Sequence, residues 1–141
     1  MKKQLLFISA IVAALLFGFS TLTALAQQEE TIAVQKSGRF HLGKTVRVGD
    51  KTLEPGMYQV QHADENGEHI VIFRTVEMGY RGNMGNQKLG AEVARVKCSV
   101  ETVDKKIGNT RILTRKNAAG EREAFEVWIR GEKVRHILPT S

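Results

Sequence analysis

Apolar and polar residues alternate with a period of two along most of the chain beyond residue 38, the spacing of strands with one buried face. The clearest runs are Met57-Tyr58-Gln59-Val60-Gln61-His62 and His69-Ile70-Val71-Ile72-Phe73-Arg74. Pro55-Gly56 launches the first: proline presets φ for the second position of a turn, and glycine accepts the positive φ that follows. Asp64-Glu65-Asn66-Gly67 lies between the runs and reads as a reversal, because Asn and Gly tolerate left-handed backbone. A four-residue loop there sets Ala63 against Glu68, His62 against His69, Val60 against Val71 and Tyr58 against Phe73. Tyr58, Val60, His62, His69, Val71 and Phe73 then share one face, and Met57, Gln59, Gln61, Ile70, Ile72 and Arg74 the other.

The same reading extends in both directions. Residues 27–37 form a loose polar lead, and Phe40, Leu42, Val46 and Val48 a first strand or strand pair with Gly43 as a bulge. Val48-Gly49-Asp50-Lys51 reverses the chain tightly before Leu53. Val76 to Gly90 shows no hydrophobic period. Glycines 79, 82, 85 and 90 punctuate it, with Met78, Tyr80, Arg81 and Met84 between. A long loop in a small domain is either functional or a connector, which makes those four side chains candidates for a binding surface.

Glu92 to Thr102 reads as one long strand, with Ala94, Val96, Cys98 and Val100 on one face. Thr110 to Lys116 is a further strand, reversed by Asn117-Ala118-Ala119-Gly120, and pairing Lys116 with Glu121 opposes Ile112 to Phe125 and Arg111 to Glu126. Gly131-Glu132 suits a two-residue hairpin turn. It opposes Ile129 to Val134, Val127 to His136 and Phe125 to Leu138, and puts Trp128 against Arg135 with the guanidinium over the indole, a second candidate binding surface. About seven strands, short turns and no helix in the mature part predict an all-β antiparallel β-sandwich, with a small open β-barrel as the alternative, forming one domain over residues 38–141.

The first residues depart from this pattern. Lys2 and Lys3 precede an apolar run from Leu5 to Phe19, and Ala24-Leu25-Ala26 closes it, the organisation of a secretory signal peptide over residues 1–26. The run is shorter than the ~20 residues a membrane span needs. The chain is therefore expected to be exported, periplasmic or extracellular, with no membrane span in its mature part. Of 21 basic residues two fall in the signal, leaving 19 against 15 acidic ones, a net charge of +4. Lys105, Lys106, Arg111, Arg115 and Lys116 are the densest cluster; they suit anionic envelope polymers or lipids, or simply a solvated strand face. No aromatics interleave as nucleic-acid binding requires. Cys98 is the one cysteine, so no intramolecular disulfide forms, and its strand neighbours make it a buried thiol.

The sharpest chemical constellation is His62 with His69. Directly opposed Cβ atoms lie ~5 Å apart, within reach of a shared zinc or copper ion, with Asp64 or Glu68 as a third ligand. The plainer alternative is two imidazoles capping the open end of the core. His136 reads as a core-edge histidine and His41 has no evident partner. Met57, Met78 and Met84 offer soft copper ligation or, more commonly in proteins, gap filling. No nucleophile elbow, zinc-protease helix or phosphate-binding loop is present.

At Leu53-x-Pro55-Gly56-x-Tyr58-x-Val60, preceded by Val46-x-Val48-Gly49, the chain resembles uncharacterised small secreted bacterial β-domains that carry an L-x-P-G-x-Y-x-V hairpin. The same short pattern occurs in carboxypeptidase-regulatory-like and other sandwich modules. The resemblance covers one hairpin, implies the fold, and supplies no catalytic residue. The expected function is that of an exported non-enzymatic module binding a protein or envelope component, without nucleic acid or organic cofactor. The alternative is a periplasmic metal-binding protein using His62 and His69.

Overall fold

The computed structural model describes residues 32–77 and 87–141, with side chains from Lys36 onward. The segment read as a signal peptide and the candidates Met78, Tyr80, Arg81 and Met84 lie outside the described residues. Among the described residues ten strands form two sheets: β1 (Ile32–Leu42), β2 (Val46–Val48), β3 (Lys51–Leu53), β4 (Gly56–Glu65), β5 (Glu68–Glu77), β6 (Lys88–Lys97), β7 (Ser99–Thr102), β8 (Arg111–Lys116), β9 (Arg122–Trp128) and β10 (Val134–Ile137). One sheet has the order β1-β4-β5-β6; the other runs β3-β2-β9-β10-β7, with β8 paired to β9 off this path. Neither closes into a barrel, and all pairings are antiparallel except the short contact of β2 with β9. No helix among the described residues is long and apolar enough to cross a membrane.

The hairpin of β4 and β5 keeps the predicted sorting of faces and changes the predicted pairing. Asn66 (φ 53°) and Gly67 (φ 81°) are both left-handed, so the turn is a two-residue type I′. Asp64 caps it by accepting the Gly67 N–H at 2.9 Å. Glu65 therefore pairs with Glu68, Asp64 with His69, His62 with Val71 and Val60 with Phe73. A slip of two residues preserves which side chains share a face, whereas a slip of one would have exchanged them. Tyr58, Val60, Val71 and Phe73 all stay in the core with Phe40, Leu42, Val46, Val48, Val127, Ile129 and Leu138. Phe73 is fully buried, with the Phe40 ring edge-on to it at 6.2 Å between centroids.

Four further expectations are corrected. The loose lead ends earlier, since β1 already pairs with β4 from Ile32. Val76 and Glu77 pair with Leu89 and Lys88, so strands claim both ends of the segment read as a loop. The long strand from Glu92 breaks at Cys98. Its N–H still bonds His69 of the first sheet, and Ser99 next to it pairs with Ile137 of the second. The turn pairs Lys116 with Arg122 rather than Glu121, and Phe125 is a bulge in β9; together these set Ile112 opposite Val127 and Arg111 opposite Trp128. Bulges and sheet-switching corners are what bend strands around a sandwich.

Candidate functional site

The turn after β9 builds the centre of the site. Gly131 (φ 89°) and the Glu132 N–H to Ile129 C=O bond at 3.1 Å close the reversal over Ile129 to Glu132, in place of a two-residue turn on Gly131-Glu132. Ile107, itself buried, clamps it from outside, donating its N–H to the Glu132 carbonyl and accepting from the Gly131 N–H, both at 2.9 Å. Held this way, the Glu132 carboxylate points between the sheets and is only 6% exposed.

Two imidazoles meet it there. His62 faces inward from β4 of the first sheet, and His136 faces inward from β10 of the second. Both are fully buried. Glu132 Oε1 lies 2.8 Å from His62 Nδ1, and Oε2 lies 2.6 Å from His136 Nε2. The outer nitrogens are engaged too: His62 Nε2 is 3.0 Å from His69 Nδ1, and His136 Nδ1 is 3.6 Å from Cys98 Sγ. Five polar side chains thus form a continuous line through the core, half-buried only at its two ends.

Satisfied buried polar groups are the rule, and here one proton arrangement satisfies them all. With Glu132 ionised, His62 Nδ1–H and His136 Nε2–H donate to it, His69 Nδ1–H donates to His62, and the Cys98 thiol donates to His136. Burial raises the pKa of Glu132, but the hydrogen bonds donated by His136 and His62 outweigh it and hold the carboxyl at about 2. Burial, with a smaller contribution from the Glu132 charge, pushes the Cys98 thiol up to about 12.

Cys98, His136 and Glu132 have the order of a nucleophile, base and orienting carboxylate. The thiol is nonetheless held in its protonated, unreactive form. Alkylation by iodoacetamide at pH 8 is expected to be about 1,000-fold slower for the folded protein than in urea, since each unit of pKa lowers the thiolate fraction tenfold. The rate should keep rising with pH beyond pH 10. Equal rates in native and denatured protein would contradict the burial described here.

The sequence-nominated residues divide accordingly. His62 and His69 do come together, diagonally rather than directly opposed. Asp64 serves the hairpin turn, and Glu68 pairs with Lys97 on the outer face. The carboxylate beside the imidazoles is Glu132 instead. Trp128 donates its indole N–H to Glu126 at 2.7 Å, and it is Arg111, 4.2 Å from the ring centroid, that covers the ring. Arg135 reaches Glu101 and Glu126, so this pair of candidates is consumed by internal contacts. His41 is exposed. Inward-facing His62 and His136 were legible from strand alternation; Glu132 carried no sequence signal, because only the turn geometry aims it inward.

A second feature lies on the edge strand β8. Arg111, Leu113 and Arg115 share its outer face, and Lys116 ends it. Among the described residues, Arg111, Arg115, Lys116, Arg122 and Arg130 form no ion pair with a carboxylate; on the other sheet Arg74, Arg95 and Lys97 are paired, while Lys36, Arg39 and Lys88 are not. Beside the start of β8 a polar cleft of about 490 Å³ is bounded by Ser37, Gly38, Arg39, Asn109, Thr110 and Arg130. Gly38 makes room there, since a Cβ at that position would lie 1.8 Å from Thr110 Oγ1. The chain matches no family model, no curated protein and no solved structure.

Proposed function

We propose that this chain is an exported, non-enzymatic β-sandwich module that binds an anionic component of the cell envelope through the outer face of β8. The observation that carries the reading is a local concentration of charge: Arg111, Arg115 and Lys116, none within ion-pair distance of a carboxylate among the described residues, stand together on one six-residue edge strand. Guanidinium groups bind phosphate oxygens in a planar, two-pronged fashion, and those of Arg39 and Arg130 border a cleft able to admit one. Leu113 and the Arg115-covered ring of Phe125 supply apolar area between the charges. The protonated Cys98 thiol supports binding rather than catalysis, and the apolar run with its basic start supports export.

The test is sedimentation of the mature chain with vesicles of phosphatidylcholine alone or with about 30% phosphatidylglycerol, and competition by soluble polyphosphate. Each basic residue near an anionic surface contributes about 1 kcal/mol. Replacing Arg111, Arg115 and Lys116 together by serine should therefore lower binding to the anionic vesicles about 100-fold, with Lys97→Ser as an unaffected control. Competition by polyphosphate marks a polymer as the target, and its failure marks a lipid surface. Binding that is absent in the native chain, or untouched by the triple substitution, ends the reading.

A further inference from the structure

We infer that His62, Glu132 and His136 form a binding site for a borderline divalent transition metal, zinc or copper(II). The three residues come from three separate elements, and their ligand atoms all lie within 4.8 Å of one another. Each is at least nine-tenths buried, at 1%, 6% and 0% exposure. Two imidazoles and one carboxylate are the donor set that zinc takes with a fourth position left open, and nitrogen with oxygen donors also suits copper(II).

The surroundings carry the inference beyond the three donors. An imidazole that ligates a metal needs its other ring nitrogen fixed by a partner. Both partners are in place: His69 Nδ1 stands 3.0 Å from His62 Nε2, and Cys98 Sγ stands 3.6 Å from His136 Nδ1. When an ion arrives at His62 Nδ1 and His136 Nε2, each ring moves its proton to the far nitrogen. His62 Nε2–H then donates to His69, which carries its own proton on Nε2, and His136 Nδ1–H donates to the Cys98 sulfur. No proton leaves the site, and no buried nitrogen loses its partner.

Distances define what the ion must do on entering. Bonds of 2.0–2.1 Å in a tetrahedron place neighbouring ligand atoms about 3.3 Å apart. The contacts of Glu132 with the two rings are 2.8 and 2.6 Å, so binding widens them by about half an ångström. Because His62 belongs to one sheet and His136 to the other, the ion would cross-link the sandwich, and ligand binding to the folded state alone raises its stability.

The experiment uses the mature chain without an affinity tag, stripped with chelator and titrated with zinc chloride. One zinc per chain should survive gel filtration, and the ring proton resonances of His62 and His136 should shift while those of His41 stay. Glu132→Gln, nearly isosteric and still able to hydrogen-bond, should weaken zinc more than the 10- to 100-fold typical of losing an outer partner. Cys98→Ser and His69→Ala should fall within that range at unchanged stoichiometry. Less than about half an equivalent of zinc on the native chain, unmoved His62 and His136 resonances, or wild-type affinity in Glu132→Gln each overturns the assignment. The first two readouts need no variant, so a substitution that fails to fold leaves the test intact.

Discussion

Glu132→Ala is expected to destabilise the chelator-treated protein by about 2–6 kcal/mol, since each of two buried donors left unsatisfied costs about 1–3 kcal/mol. The substitution strips two fully buried imidazole donors of their acceptor at once, and no other group is placed to replace it. Urea unfolding at pH 7 provides the measurement, with Glu132→Gln expected to cost less because its amide oxygen still accepts one of the two bonds. The same carboxylate predicts the acid limit. Its folded pKa of about 2 lies below the ordinary value of 4.5, so the folded state binds the proton less readily than the unfolded chain. The contribution is complete above about pH 4.5 and is lost as pH falls towards 2, with a magnitude on the order of 3 kcal/mol. The difference in stability between native protein and Glu132→Gln should therefore narrow between pH 5 and pH 3. A loss of less than about 1 kcal/mol in Glu132→Ala, or a difference that does not change with acid, would show that the carboxylate does not tie the sheets together.

Phe73→Ala is the second large effect. The ring is wholly enclosed at the middle of β5, edge-on to Phe40, and its removal leaves a cavity that two stiff sheets cannot close. Such truncations cost about 3–5 kcal/mol. Ile72, its neighbour, points to the opposite face into a small cluster with Ala63 and Ile70, opposite Arg95. Ile72→Ala should cost about 2 kcal/mol, at the low end for such truncations. Both midpoints come from the same urea titrations, with slopes unchanged. A cost for Phe73→Ala no greater than that for Ile72→Ala would mean that the two faces of β5 are not the core and its outside, as described.

Alternation alone sorted Tyr58, Val60, Val71 and Phe73 to one side, because adjacent side chains of an extended chain must point oppositely whatever they meet. Turn chemistry was equally local. Asn66-Gly67 and Gly49 reverse the chain because their backbones accept positive φ, a property of the residues themselves. Pairing was less legible. The β4–β5 register shifted by two, since a type I′ turn closes on two residues and the sequence offered four that favour loops. Phe125 appeared to be a regular strand residue, and only the packing of β8 and β9 made it a bulge.

The sequence by itself thus determined an all-β chain, the residues that reverse it and the side chains that turn inward, because these follow from backbone sterics and burial along a single strand. Tertiary structure alone decided that Cys98 switches sheets, that Arg111 rather than Arg135 covers Trp128, and that Glu132 meets His62 and His136. Those outcomes join residues as far as 70 positions apart. They depend on how two sheets stack and on where a clamped turn aims one carboxylate, and no local pattern records either.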